Sequence, residues 1–523
     1  MRLRSAVDDW HVPLLRDAVI YELHVGSFTP EGTFEAVIPH LPYLRDLGVT
    51  TIEIMPIAQF PGARNWGYDG VFPYAAQHSY GGPNGLRRLV DASHAAGLTV
   101  ILDVVYNHFG PEGSVFHRFG PYQTSHYRTP WGDAINFDGP HSDEVRAFFI
   151  DNALMWLEEY RIDGFRLDAV HEIYDPRAQP FLAELAAAVH SRAAHLGRTV
   201  HFVAESDLND PKLILPRDIG GYALDAQWAD DFCHALEAQL IGEESAYAAD
   251  FGDFAHMAKA MRQAFVYTGE YATRRQRRFG RSPSPARRSQ FIVFNQNHDQ
   301  VGNRPGGERL GHRISPEQQK LAAAAVILSP FVPLLFMGEE YGETNPFLFV
   351  VDHGDPDLIE AVRKGRREAF GGFNWDDAAP DPAAPETLTR SILALERYRD
   401  DAHAPLFAWY RDLLRLRREL PVLRDPEAAN TVTAWDHERV LLRHAGREGE
   451  EAAVMLAFGN ARTRVSLPLP AGTWHVCLGS GGIRESRNSE LLGDQLASDG
   501  AIDLVLPPHA VLLLFKGEPV QSI

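Results

Sequence analysis

The chain has 523 residues, 45% of them hydrophobic and 23% charged, an ordinary globular balance with room for one large domain and smaller ones. Its 50 Lys and Arg against 70 Asp and Glu leave a net charge of −20, which repels phosphate backbones and anionic lipid. Nucleic acid and membranes are therefore poor partners, and a neutral or cationic substrate suits the chain better.

In chain order, short β-rich apolar runs alternate with helical stretches. VIYELHV (19–25) leads to TFEAVIPHLPYLRDLG, TTIEIMP (50–56) to GLRRLVDASHAAG, and TVILDVV (99–105) to EVRAFFIDNALMWLEEY. GFRLDA (164–169) precedes PFLAELAAAVHSRAAHLG, and HFVAES (201–206) and the weaker YALDAQWAD (222–230) follow. QFIVFNQN (290–297) and VPLLFMG (332–338) complete eight strand–helix units. Such alternation predicts a parallel sheet with right-handed crossovers, and eight units predict an α/β fold, a (β/α)8 TIM barrel. The competing doubly wound sheet lacks its signature, since no G-x-G-x-x-G opens the first helix. GSGGIR at 479–484 falls in a β-like region and reads as a turn.

Residues 1–13 read as a lead-in and 14–425 as the barrel. A loop subdomain at 106–141, rich in Gly, Pro and aromatics, is expected after strand 3. From 426 to 523 the pattern changes to short alternating runs such as RVLLRHA, EAAVMLAFGN and AVLLLFK, which predict a C-terminal antiparallel β-sandwich domain. The basic run RRQRRFGRSPSPARR (274–288) is read as a solvated loop before the seventh strand.

The two cysteines, Cys233 and Cys477, make neither a disulfide framework nor a Cys-rich zinc site. The N-terminal MRLRSAVDDWHVP lacks the apolar core of a signal peptide and no run reaches transmembrane length, so the expected location is cytoplasmic.

The strand ends carry the chemistry. Asp103, Asn107 and His108 end the third strand, Arg166 and Asp168 the fourth and Glu205 the fifth, while His298 and Asp299 lie just past the seventh. Arg166 and Asp168 alternate along one strand and share a face, and burying such charges is costly unless they are paired. In a barrel all these positions surround one cavity at the C-terminal face. Any one of them could be a structural ion pair or a loop acceptor; four strand ends converging on one face favour a site. No G-x-S-x-G nucleophile elbow is present. A metal hydrolase would begin with two alternate histidines on the first strand, where YELHV has only His24. No catalytic metal and no cofactor are expected.

Paired carboxylates are the equipment of glycoside hydrolysis, in which an anion faces the anomeric carbon and an acid protonates the leaving oxygen. Arg166 would hold Asp168 ionised, and Glu205, crowded by other carboxylates, would keep its proton. Trp66, Tyr68, Trp131 and Trp228 offer rings for stacking on sugars, with core packing the alternative for each.

DVVYNH, GFRLDAV, VAES and NQNHDQ, in this order and on these strands, resemble the signature regions of glycoside hydrolase family 13, the α-amylase family. The resemblance implies a retaining α-glucan-active barrel with Asp168 as nucleophile, Glu205 as general acid/base and Asp299 as the transition-state stabiliser. It also implies substrate binding by Asp103, His108, Arg166 and His298, with Tyr68 of NWGYDG as the aromatic platform; Trp66 and Trp228 are further expected substrate contacts. Within that family YELHVGSFTPEGTF, YALDAQWADDF, QNHDQVGNR and LLFMGEEYGETNPFLFVVDH resemble the maltooligosyltrehalose trehalohydrolases. These release trehalose from the end of a maltooligosyltrehalose, acting after a maltooligosyltrehalose synthase. Two departures stand out. The usual N-terminal β-sandwich has no room before a first strand near residue 19, and Cys233 in DDFC stands where a histidine is expected. The alternatives are another α-glucan enzyme of the family, a branching enzyme or an α-amylase, and a catalytically silent glucan-binding protein.

Overall fold

The eight apolar runs form eight parallel strands: β1 (Ile20–Leu23), β2 (Thr51–Ile54), β3 (Thr99–Val104), β4 (Gly164–Leu167), β5 (His201–Ala204), β6 (Ala226–Trp228), β7 (Phe291–Val293) and β8 (Val332–Phe336). They pair in sequence order, and β1 closes on β8 to complete the barrel. The computed structural model describes residues 10–370, 380–485 and 493–518.

Strand parity sorts each run into an inner and an outer set. Ile20, Ile101, Val203, Ala226, Ile292, Val332 and Leu334 fill one part of the barrel interior, together with Trp228 and Phe294. Their neighbours Tyr21, Ile52, Leu102, Phe165, Phe202, Val293 and Leu335 join the main core beneath the surrounding helices. Further along the strands the same inward parity delivers charge. Glu22 of β1 stands opposite Glu53 of β2, and Asp103 of β3 opposite Arg166 of β4. The interior is thus apolar towards the strand starts and polar towards the C-terminal ends, where a barrel places its chemistry.

The loop after β3 carries an antiparallel hairpin, Gln123–Thr129 and Gly132–Ile135, with Trp131 at its tip. After the helix Ala404–Glu419, the chain from Ala429 onward builds a six-stranded and a three-stranded antiparallel sheet around Leu442, Met455, Trp474, Leu504 and Leu512. Arg443 of this sandwich reaches the barrel side, giving hydrogen bonds to the carbonyls of Leu328 and Leu423 at 2.7 Å each. Leu328 ends the helix Pro316–Ile327, so the cation also meets that helix's negative dipole end.

GSGGIR contains a turn at Gly481 and Gly482. The basic run spends charge within the chain: Arg275 pairs with Asp207 at 3.0 Å, and Arg288 bonds the carbonyl oxygens of Pro426 and Ala428. Among the described residues no helix is long and apolar enough to cross a membrane.

Candidate active site

Arg166 is the hub of the polar end of the barrel. It is fully buried, and its Nη1 lies 2.8 Å from Asp103 Oδ2 and 2.8 Å from Asp168 Oδ1, with Nη2 3.3 Å from Glu205 Oε2. Three carboxylates therefore share one guanidinium, whose fork suits such multiple pairing. The indole of Trp228 lies under the guanidinium, 4.4 Å from ring centroid to Cζ.

The carboxylates occupy different surroundings. Asp168 takes Arg166 on one oxygen and the Asn107 amide on the other at 2.7 Å, and Asn107 also bonds the Asp168 carbonyl. Glu205 accepts the backbone N–H of Ala169 at 2.5 Å. Ala169 has φ 38°, left-handed for a residue with a Cβ, and that turn aims its N–H at the carboxyl. Burial raises the Glu205 pKa, Arg166 opposes the rise, and Asp168 and Asp299 add to it. Burial likewise pushes Asp103 up to about 7 against the pull of Arg166. Asp299 is 43% exposed at its side chain, on the short helix His298–Gly302 capped by the Asn297 amide oxygen.

The aromatic and histidine residues divide into two groups. Tyr68 is half-buried: its hydroxyl donates to Asp103 at 2.7 Å and meets His298 Nε2 at 2.8 Å, with its ring stacked on the imidazole. His108 is held by the Tyr68 carbonyl at 2.9 Å and by Asn107, and Trp131 of the hairpin stacks on it at 4.3 Å. Trp66 and Trp228, expected to contact substrate, are instead 3% and 1% exposed, their rings enclosed by protein. Trp66 donates to the Leu348 carbonyl and stacks on Phe347, and Trp228 packs against Arg166 and Phe294. They support the site from behind.

Three carboxylates at this end escaped the strand-end reading. Glu22 binds His298 through both the backbone N–H at 3.0 Å and Nδ1 at 2.5 Å. Glu53 lies beside it in the barrel interior, raised well above the usual range by burial and by Glu22. Asp230, at the start of the helix after β6, is raised by burial and by Glu205 and Asp299. The signal was available for the first two, since both are charges inside otherwise apolar strand runs, as Arg166 is. Cys233 is buried, its thiol on the Asn295 carbonyl at 3.2 Å, behind the seventh strand's end.

A cavity of about 710 Å3 opens beside Asp299, lined by Tyr247, Asn303, Arg304, Glu308 and His312. The arrangement offers a carboxylate tied to Arg166 and Asn107, a second carboxyl whose pKa is raised by burial, an exposed carboxylate at Asp299 and an adjoining space of oligosaccharide size.

Residues 5–131 match the family described as alpha amylase, catalytic domain. A malto-oligosyltrehalose trehalohydrolase from Saccharolobus solfataricus is 49% identical over 77% of this chain and 69% of its own length. Another, from Arthrobacter ramosus, is 46% identical over 87% of this chain and 81% of its own. The crystal structure of a provisionally assigned alpha amylase from Salmonella typhimurium superposes with a TM-score of 0.85 at 36% identity, covering 98% of this chain and 84% of that one. With this barrel, this charge cluster and these relatives, the chain belongs to the malto-oligosyltrehalose trehalohydrolases of the α-amylase family of glycoside hydrolases.

Proposed function

We propose that the chain hydrolyses the α-1,4 bond next to the terminal trehalose of a maltooligosyltrehalose, with retention, releasing trehalose and a shortened maltooligosaccharide. The observation that carries this reading is the unequal treatment of two carboxyl groups around one buried arginine. Asp168 is tied to Arg166 and Asn107 as an acceptor, the state of a nucleophile. Glu205 is pushed towards its protonated form by burial, with Asp168 and Asp299 adding to the rise and Arg166 opposing it, the direction a general acid needs.

In the first step an Asp168 oxygen attacks the anomeric carbon while Glu205 protonates the glycosidic oxygen, and trehalose leaves. Glu205, now ionised, takes a proton from water, the hydroxide displaces Asp168, and both carboxyl groups return to their starting states. Asp299 stabilises the oxocarbenium-like transition state from the cavity side, and Tyr68 presents its ring to the sugar. The substrate preference follows the names of the relatives. A synthase that converts the reducing end of a glucan to trehalose would supply the substrate. Two free buried thiols fit a cytoplasmic setting.

Product analysis tests the reading. Incubation with maltooligosyltrehalose should yield trehalose, with slower cleavage of plain maltooligosaccharides of the same length. New α-1,6 branches, or random cleavage of amylose without trehalose, would replace it with a branching enzyme or an amylase.

A further inference from the structure

The carboxylate of Glu22 lies outside the set of strand-end groups assigned above, yet it is 1% exposed and holds His298 at two points. We propose that Glu22 is a positioning residue for this site: it fixes the His298 ring and holds it as an imidazolium, with both nitrogens donating. This rests on reading the cluster as the hydrolytic site, while its central claim concerns the protonation of His298 alone.

A count of protons carries the argument. The Tyr68 hydroxyl has one hydrogen and gives it to Asp103 Oδ2 at 2.7 Å. It can then only accept from His298 Nε2 at 2.8 Å, so Nε2 carries a hydrogen. On the ring's other side Nδ1 meets Glu22 Oε1 at 2.5 Å, while Glu22 Oε2 accepts the His298 backbone N–H at 3.0 Å. Within this proposal Glu22 is the carboxylate of the pair and accepts at both oxygens, so Nδ1 carries a hydrogen too; a neutral pair would instead have Glu22 donate to Nδ1, a state that histidine 15N NMR separates. Protonation of Asp103 leaves this count intact, because its Oδ1 has no hydrogen-bond partner among the described residues and can hold the proton.

The surroundings of His298 point the same way. Burial opposes its charge, but Asp299, 3.5 Å from Nε2, and Glu22 outweigh it and raise the imidazole to about 9. Arg166 acts against the charge, His24 just past β1 also feels it, and Trp66 and Trp228 supply only ring contacts. Glu53 faces the pair from β2, its two oxygens without hydrogen-bond partners among the described residues. Burial and Glu22 push its pKa well up. The outcome is one continuous chain, Glu22–His298–Tyr68–Asp103–Arg166–Asp168, that begins on β1 and ends at the proposed nucleophile.

Glu22→Gln tests this with little change of shape. Histidine 15N NMR of the full chain, with His298→Gln used to assign the signal, should show both His298 nitrogens protonated at neutral pH. In Glu22→Gln the ring should be neutral there, its titration lowered by more than one pH unit, and Glu22→Asp should fall between. A neutral His298 in the unaltered protein, or an unmoved titration in Glu22→Gln, overturns the proposal. These readouts need no turnover, so they fail separately from the assignment of trehalose release. Where trehalose is released, the alkaline limb of kcat/KM should move to lower pH in Glu22→Gln but not on a His298→Gln background. A parallel loss at every pH would show a merely structural role. Should Glu22→Gln not fold, Glu22→Asp carries the same titration test.

Discussion

The Cα of Gly302 faces the indole of Trp66 so closely that a methyl group there would lie 2.0 Å from the ring. Gly302 ends the short helix that carries His298 and Asp299. Trp66 cannot step aside, because its Nε1 is bonded to the Leu348 carbonyl and its face is stacked on Phe347 at 5.1 Å. Gly302→Ala should therefore displace the helix rather than the ring. Overpacking of this kind costs about 1–3 kcal/mol, and a shift of about 1 Å at Asp299 is enough to cost about 100-fold in rate. A kcat within twofold of the unaltered protein would mean that the helix is not held where it lies.

Asp168→Asn separates chemistry from folding. With Asp168 as the proposed nucleophile, an amide there cannot attack, and kcat should fall by on the order of 10^4-fold or more. The substituted side chain would also set an N–H against either Arg166 or the Asn107 amide, both of which donate to Asp168. That mismatch predicts a loss of about 1–3 kcal/mol in stability, with the fold retained by circular dichroism. Arg166→Met has the opposite profile. It strands Asp103, Asp168 and Glu205 around one buried position, and losing the partner of buried charges costs about 3–5 kcal/mol. Thermal unfolding should rank Arg166→Met well below Asp168→Asn.

Tyr68→Phe keeps the ring stacked on His298 but removes the hydroxyl that joins His298 to Asp103. A hydrogen bond to a charged group is worth about 1.5–3 kcal/mol, so kcat/KM should drop by about 10- to 100-fold. Tyr68→Ala should lose more, because the proposed sugar platform goes as well. Equal losses in the two variants would assign the whole contribution to the ring.

The barrel was legible because strands buried on both faces read as continuous apolar runs, and because turn residues separate each run from the next. Arg166, Asp168 and Glu205 were legible for the opposite reason, as charges that such runs should not contain. By the same test Glu22 stands out in YELHV, where a metal's histidine spacing draws attention to His24 alone and away from the glutamate two places before it. Trp66 and Trp228 show a different limit. Which face a ring exposes depends on partners distant in sequence: Phe347 and Leu348 cover Trp66, and Arg166 covers Trp228. Local sequence names an aromatic near a site but not which of its faces stays open.

Several fully buried carboxyl groups set how stability responds to pH. Burial raises Asp103 to about 7, Glu340 to about 7 and Glu339 to about 8, each well above its value in an unfolded chain. An unfolded chain releases these protons near pH 4, whereas the folded protein holds them until pH 7 to 8. Their contribution is therefore complete below about pH 4, is lost progressively as pH rises from there to about 7 to 8, and changes no further above that. His298, raised to about 9, adds stability that is full below the ordinary histidine range and is lost as pH passes about 9. Both groups push in the same direction, so the thermal midpoint should decline steadily from about pH 6 to about pH 9.5. Glu339 accepts the Phe336 backbone N–H on Oε2 and the Tyr410 hydroxyl on Oε1; a glutamine can keep its oxygen on the Phe336 N–H and turn its amide N–H2 to the Tyr410 hydroxyl oxygen, which can accept. Glu339→Gln should accordingly fold and show a shallower decline between about pH 5 and 8, measured by thermal unfolding at constant ionic strength. A midpoint that holds level or rises across that interval would mean these carboxyls are already ionised in the folded protein.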